Sequence, residues 1–159
     1  MTAENPKARL QRLSVLYIRS PIYFVTACTE GRRNFLANHT VHDAFVKFAT
    51  QGADHGAWVG DYVLMPDHLH AFVSIDDQSI TLSNWCKSLK NTISKTLRTL
   101  KIEAPHWEKT FFDHVLRSGE SYAAKWEYVR NNPVRAGLVK TPDQWSFMGQ
   151  IFALEFLPH

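Results

Sequence analysis

Residues 57–75 read AWVGDYVLMPDHLHAFVSI, and this stretch decides the fold. Residues 57–64 alternate imperfectly between apolar and polar side chains, and residues 68–75 continue in the same manner, so each half is typical of a strand. Pro66 and Asp67 between them are turn-forming residues. The sequence therefore predicts a β-hairpin, or a closely linked meander, in the middle of the chain.

Further elements flank this pair of strands on both sides. Runs of β-branched and aromatic residues predict strands, and apolar residues at helical spacing predict helices. In chain order we expect a strand over 22–28, a helix over 40–51, the two strands above, a helix from Leu82 to Leu100 capped by Thr81 or Ser83, a strand over 111–116, and a helix over about 120–131 that ends before Pro133. This order is typical of an α+β, ferredoxin-like (RRM-like) fold, in which helices pack on one antiparallel sheet.

The length and composition suit one domain. The chain has 159 residues, of which 45% are hydrophobic, and no apolar run approaches the roughly 20 residues that span a bilayer. We expect an N-terminal arm over 1–20, a domain over 21–147 and a C-terminal tail over 148–159. The polar start lacks the apolar core of a secretory signal, and two cysteines in this length favour reduced thiols. Both features favour a cytoplasmic protein with no membrane segment.

The basic residues are unevenly distributed. Residues 82–101 contain five Lys or Arg and no acidic residue, within a chain whose net charge is +3. Such a block suits a polyanionic partner, but it is equally typical of a solvated helix face. Charge alone does not separate the two interpretations.

His68 and His70 stand two residues apart on a predicted strand. Because strand side chains alternate between faces, both imidazoles leave one face, about 7 Å apart at the backbone, while Leu69 points to the other. Two imidazoles on one face can share a metal ion, although a sheet surface also tolerates such a pair without a ligand. No cysteine cluster lies nearby, which argues against a closed structural zinc site.

Tyr128 and Asn132 stand at positions i and i+4 at the end of the last predicted helix, so they share a face if the helix persists that far. A carboxamide oxygen suits Mg²⁺ or Mn²⁺, and a phenol close to it can attack an electrophile that the same ion polarises. The alternative is that Tyr128 packs in the core and Asn132 terminates the helix. Tyr122 lies on a different face of the helix from Tyr128.

Four segments together carry a resemblance to a known family. They are YFVTACT at 23–29, YVLMPDHLH at 62–70, FDHVLR at 112–117 and YVRNNPVRAGLV at 128–139. In this order, over about residues 20–147, they resemble the REP-associated tyrosine transposases, which are domesticated relatives of the single-strand HUH (Y1) transposases. One departure is Asp67, where members of that family usually carry asparagine.

The resemblance implies a ferredoxin-like fold and a specific chemistry. It implies that His68, His70 and Asn132 bind a divalent metal ion, Mg²⁺ or Mn²⁺, and that Tyr128 is the nucleophile. The implied activity is a metal-dependent single-stranded DNA endonuclease and strand transferase acting at palindromic repeat (REP) hairpins through a 5′-phosphotyrosine intermediate. The implied partner is single-stranded or hairpin DNA. A monomer is expected, with a homodimer as the alternative.

The basic residues indicate which side chains contact the DNA. Phosphate contacts are expected from Lys87, Lys90, Lys95, Arg117 and Arg135. His114 is either a DNA contact, a proton donor or a strand histidine with a satisfied hydrogen bond. Two alternatives to the nuclease remain: a hairpin-binding protein of the same fold that does not cleave, and an unrelated RRM-like RNA binder, for which the exposed strand aromatics are not evident.

Overall fold

The computed structural model describes residues 15–18 and 22–156. Its elements in chain order are β1 (Val15–Ile18), β2 (Ile22–Cys28), α1 (His39–Gly52), β3 (Ala57–Leu64), β4 (His68–Ile75), α2 (Leu82–Thr99), β5 (Phe112–Leu116), α3 (Gly119–Arg130), α4 (Asn132–Arg135), β6 (Met148–Gln150) and β7 (Ala153–Phe156). Every predicted helix and strand is present, with ends that agree to within about a residue. Of the two cap candidates, the Thr81 side chain accepts a hydrogen bond from the Asn84 amide, which caps α2.

Five strands form one antiparallel sheet in the order β5-β2-β4-β3-β6. The first four of these, with α1 and α2 as crossovers, follow the ferredoxin-like pattern, so the predicted fold class is confirmed. The predicted hairpin is also confirmed, since β3 pairs with β4 from Leu64 opposite Leu69, next to the turn, to Ala57 opposite Ile75 at the far end. The β3–β4 register shifts between Val59 and Tyr62, where β3 contains an irregularity.

The two faces of this sheet carry different helices. Helices α1 and α2 cover one face and enclose the larger core, in which the fully buried side chains include Phe45, Trp85, Leu89, Ile93, Val25 and Leu69. Helix α3 lies on the opposite face, where Tyr122 and Val129 pack with Ile22, Phe24 and Phe72. Because side chains alternate along β4, His68 and His70 lie on the α3 face, together with Phe72.

The predicted arm contains one strand, β1, and the predicted tail contains two, β6 and β7, none of which the sequence indicated. Residues 15–18 pair in parallel with residues 153–156, and β6 adds to the main sheet beside β3. The rest of the predicted arm, residues 1–14 and 19–20, lies outside the described residues. Within the described part of the chain, no helix is both long enough and apolar enough to cross a bilayer.

Candidate active site

The two histidines of β4 form a close pair on the α3 face of the sheet. Their ring centroids are 4.8 Å apart and the ring planes stand at 76° to each other. Leu69 between them is fully buried in the core of the other face. The pair therefore has the arrangement that strand alternation predicts.

Each imidazole is held by a hydrogen bond at its Nδ1 atom. His68 Nδ1 lies 2.7 Å from Asp67 Oδ1, and His70 Nδ1 lies 2.8 Å from the Thr26 hydroxyl oxygen. Thr26 is directly opposite His70 in the β2–β4 pairing, so the sheet register itself supplies this partner. Among the described residues neither Nε2 atom has a hydrogen-bond partner. In metal-binding histidines, a hydrogen bond at one ring nitrogen commonly orients the ring so that the other nitrogen can bind the metal. Here the hydrogen bonds at Nδ1 leave both Nε2 atoms for a ligand.

Asp67 is in turn held by Arg32. The Arg32 Nε donates to Asp67 Oδ2 at 2.9 Å, and its Nη1 donates to the Cys28 sulfur at 3.0 Å. Partial burial acts to raise the pKa of Asp67, but the hydrogen bonds from His68 and Arg32 outweigh it and lower the pKa below its usual value. Asp67 therefore stays a carboxylate beside His68. Such a charge makes a bound imidazole a stronger metal ligand.

The electrostatic surroundings keep His70 neutral. Burial lowers its pKa to about 3, and the nearby charges of His68, Lys125 and Arg32 act in the same direction. A metal ion binds the neutral imidazole, so no proton has to leave before a ligand binds at neutral pH.

Helix α3 reaches the histidine pair through Phe24. The Phe24 ring stacks on the His70 ring at 4.9 Å, and the Lys125 ammonium lies 4.7 Å above Phe24. Tyr122, one turn earlier in the helix, stacks on Phe72 at 4.4 Å. The helix that carries Tyr128 thus lies on the same face as the two histidines, within one chain.

Tyr128 follows Lys125 by three residues and so lies on the same side of α3. Its side chain is 63% exposed, which excludes the alternative that it packs in the core. The Arg135 guanidinium carbon lies 3.9 Å above the Tyr128 ring. The nucleophile candidate is therefore accessible and already has a cation against it.

Asn132 lies beside Tyr128, although not in one continuous helix. Helix α3 ends at Arg130, and Asn132 opens the short helix α4 after the non-helical Asn131. The Asn132 side-chain oxygen accepts a hydrogen bond from the Arg135 guanidinium, so Arg135 contacts both Tyr128 and Asn132. A metal ion at this oxygen would have to displace Arg135.

The donors available to a metal ion are few. Among the described residues no group of three or more His, Cys, Asp and Glu side chains is arranged to hold one. The site therefore offers two imidazole nitrogens and, after movement of Arg135, one amide oxygen. An ion held by so few protein donors would keep open positions for water or phosphate oxygens.

The predicted phosphate contacts do not share one surface. Lys87, Lys90 and Lys95 belong to α2, which covers the sheet face opposite the histidines. The Lys90 ammonium donates to the carbonyl oxygens of Glu108 at 2.9 Å and Thr110 at 3.2 Å, so it anchors a loop. Arg117 is exposed just beyond β5.

His114 is exposed on β5, directly opposite Phe24 and therefore on the histidine face. The sequence assigned no role to three residues that shape this site: Thr26, Arg32 and Lys125. Only the pairing register and the helix position bring them to the histidines, and a single sequence signals neither.

The family comparison matches residues 18–132 to the family model described as "Transposase IS200 like". Two curated relatives are similar over most of their length. The REP-associated tyrosine transposase of Escherichia coli (strain K12) is 23% identical over 134 residues, which covers 82% of this chain and 77% of the relative. A putative REP-associated tyrosine transposase of Haemophilus influenzae is 20% identical over 143 residues, which covers 82% of this chain and 80% of the relative.

Two solved structures share the fold. A REP-associated tyrosine transposase bound to a REP hairpin superposes with a TM-score of 0.62 at 22% identity, covering 93% of this chain and 82% of that one. A putative transposase from Deinococcus radiodurans R1 superposes with a TM-score of 0.51 at 17% identity, covering 82% of this chain and 97% of the other.

Proposed function

Because the chain belongs to the IS200-like transposase family, we propose that it cuts and rejoins single-stranded DNA at palindromic REP hairpins, with Tyr128 as the nucleophile. The observation that carries the proposal is the orientation of the histidine pair. Both Nδ1 atoms are engaged within the protein, and both Nε2 atoms are left for a ligand. Hairpin DNA as the substrate is supported by the relative whose structure is bound to a REP hairpin.

We propose that His68 and His70 hold Mg²⁺ or Mn²⁺ through their Nε2 atoms, with the Asn132 oxygen as a third ligand. When bound, the ion supplies positive charge that stabilises the extra negative charge of the transferring phosphate. Asp67 and Thr26 keep the two rings in place, and the low pKa of His70 keeps it unprotonated. Arg32 fixes Asp67 in its position.

In the proposed reaction, the Tyr128 oxygen attacks the phosphorus in line with the leaving 3′-oxygen. A bond forms between phosphorus and the tyrosine oxygen, the phosphorus–3′-oxygen bond breaks, and the phenolic proton is lost as the 3′-hydroxyl gains one. Arg135, released from Asn132 by the bound ion, is then free to attract the anionic strand to the nucleophile. The product is a 5′-phosphotyrosine and a free 3′-hydroxyl.

The covalent intermediate conserves the energy of the broken phosphodiester. A second 3′-hydroxyl can attack it, which restores a phosphodiester and frees Tyr128 without ATP. Because α3 packs on the sheet of its own chain, the simplest arrangement of the reaction uses Tyr128 and the histidines of one monomer.

The experiment compares His68→Ala with His55→Ala, an exposed histidine in the turn that follows the C-terminal end of α1. Mn²⁺ binding and cleavage of a single-stranded REP hairpin are measured for both variants. We expect His68→Ala to lose metal binding and cleavage together, while His55→Ala retains both. Metal-dependent cleavage by His68→Ala at the rate of the parent protein would refute the ligand assignment. Hairpin binding by the parent without any cleavage would instead indicate the non-cleaving DNA-binding protein.

A further inference from the structure

The strand β5 begins with an exposed aromatic ring. Phe112 is 64% exposed, the highest value among the large apolar side chains in the described part of the chain. At the other end of the same strand, Leu116 is buried against Ile22 and Phe24. The strand therefore leaves the core at its first residues, and packing of the protein does not account for the Phe112 ring.

Phe112 belongs to the surface of the histidine pair. It is opposite Thr26 in the β2–β5 pairing, and Thr26 is opposite His70 in the β2–β4 pairing. Directly opposed residues point to the same face of a sheet, so Phe112, Thr26 and His70 form a row across three strands. Two strand spacings separate the Phe112 and His70 backbones by about 10 Å.

The segment that leads into β5 is firmly held. The Lys90 ammonium binds the carbonyl oxygens of Glu108 and Thr110, the Glu108 amide donates to the Cys28 carbonyl oxygen at 3.0 Å, and Trp107 pairs with Thr29. The ring is thus presented by a fixed strand. Preorganised groups lose little conformational freedom when they bind.

The charges around this row suit a polyanion. Lys125 lies over Phe24, and exposed Lys109 and Arg117 flank the two ends of β5. A single DNA strand that passes over His70 would meet basic side chains and one aromatic face.

We propose that Phe112 stacks against one unpaired base of the single strand next to the scissile phosphate, and so sets how the strand enters the histidine site. The inference rests on the proposed function, because it takes the phosphate to lie at His68 and His70. Aromatic side chains bind single strands in this way, since every base offers a flat face to stack on. Phe112 is then a binding residue for the flanking strand.

Binding assays test whether Phe112 stacks on a base, and they do not require cleavage. In a Tyr128→Phe background, which removes the nucleophile, the affinity for a REP hairpin with single-stranded flanks is measured for Phe112→Ala, Phe112→Tyr and Phe112→Leu. A series of oligonucleotides replaces each flanking base in turn by an abasic residue. Leu100→Ala, an exposed apolar residue at the end of α2, is the matched control.

We expect Phe112→Ala and Phe112→Leu to weaken binding by about 5- to 150-fold, as loss of one stacked base does, and Phe112→Tyr and Leu100→Ala to keep the parent affinity. One abasic position should weaken the parent but leave Phe112→Ala unaffected, because both changes remove the same contact.

Additive effects at every flanking position would overturn the proposal, as would parent affinity in Phe112→Leu. So would a dimer that Phe112→Ala dissociates without a change in DNA affinity. Because the readout is binding, an absence of covalent adduct in the wild-type protein would count against the proposed function and leave the stacking result standing.

Discussion

At the scale of single residues, the site depends on the hydrogen-bond partner of the Nδ1 atom in each imidazole. His70 has a neutral hydroxyl partner in Thr26, whereas His68 has a carboxylate partner in Asp67, which is itself bound by Arg32. The relatives that the sequence resembles usually carry asparagine at this position. The carboxylate adds a negative charge beside the proposed metal site, and the Arg32 guanidinium balances it.

Replacing Asp67 with asparagine tests the contribution of that charge. The amide side chain keeps an oxygen that can accept from His68 Nδ1 but loses the ion pair with Arg32. We expect Asp67→Asn to weaken Mn²⁺ binding by about 10-fold, at the low end of such partner mutations, and Asp67→Ala to weaken it further. Asp113→Asn, an exposed carboxylate on the opposite face of β5, is the control. Equal Mn²⁺ affinity in Asp67→Asn and the parent would show that the charge has no part in the site.

The burial of His70 predicts a pH dependence of stability in the metal-free protein. Burial lowers its pKa to about 3, whereas an exposed histidine in the unfolded chain titrates near 6.5. Between these values the unfolded chain binds more protons than the folded protein, so the free energy of unfolding falls as the pH is lowered, by about 1.4 kcal/mol per pH unit.

This dependence is measurable by urea denaturation in the presence of a chelator. Between pH 6.5 and 5, the parent should lose about 1.6 kcal/mol more stability than His70→Gln, which has no titrating group at this position. Parallel pH profiles for the two proteins would contradict the assignment of a neutral, partly buried His70.

At the scale of elements, helix α3 is held to the sheet by a buried polar contact as well as by packing. The Tyr122 hydroxyl donates to Asp61 Oδ2 at 2.7 Å and accepts from the Asp61 backbone amide at 3.0 Å. Burial raises the pKa of Asp61, and the hydrogen bonds from Tyr122 and Gln150 partly oppose it. Gly60 allows this approach, because a Cβ atom there would stand 2.5 Å from the Tyr122 hydroxyl oxygen.

Tyr122→Phe should therefore destabilise the protein more than a surface change does. It removes the hydroxyl donor and leaves the Asp61 carboxyl short of a partner, which costs about 1–3 kcal/mol. Tyr23→Phe is the matched control. Tyr23 is half-buried on the face of the sheet opposite α3, and its replacement should change the stability little. Hydrogen exchange of the α3 amides, measured alongside thermal unfolding, should be accelerated in Tyr122→Phe alone. Unchanged exchange there would mean that packing by Val129 and Trp126 suffices to hold the helix.

At the scale of the whole molecule, the sequence predicts the elements better than their assembly. The strand alternation around His68 and the helical spacing of Leu89 and Ile93 are local signals, so the fold class could be predicted. Strands β6 and β7 were missed because three or four residues are too short to show a period, and their pairing with distant strands alone defines them.

In the site too, features that depend on neighbouring residues could be predicted, and contacts between residues distant in the chain could not. The pairing of His68 with His70 is a property of one strand and could be predicted. The contacts of Thr26 with His70 and of Lys125 with Phe24 join residues far apart in the chain, and no spacing in a single sequence signals them. The Lys90 ammonium binds two backbone carbonyl oxygens, a contact that the charge pattern of α2 does not signal.

The most direct test of the proposed chemistry is the covalent adduct. The wild-type protein is incubated with a single-stranded REP hairpin and Mg²⁺ or Mn²⁺, and protein–DNA adducts are resolved on a denaturing gel. Tyr128→Phe should form no adduct while binding the hairpin with nearly parent affinity, and Tyr23→Phe, on the opposite face of the sheet, should still form it. An adduct of undiminished yield in Tyr128→Phe would contradict the assignment of Tyr128 as the nucleophile.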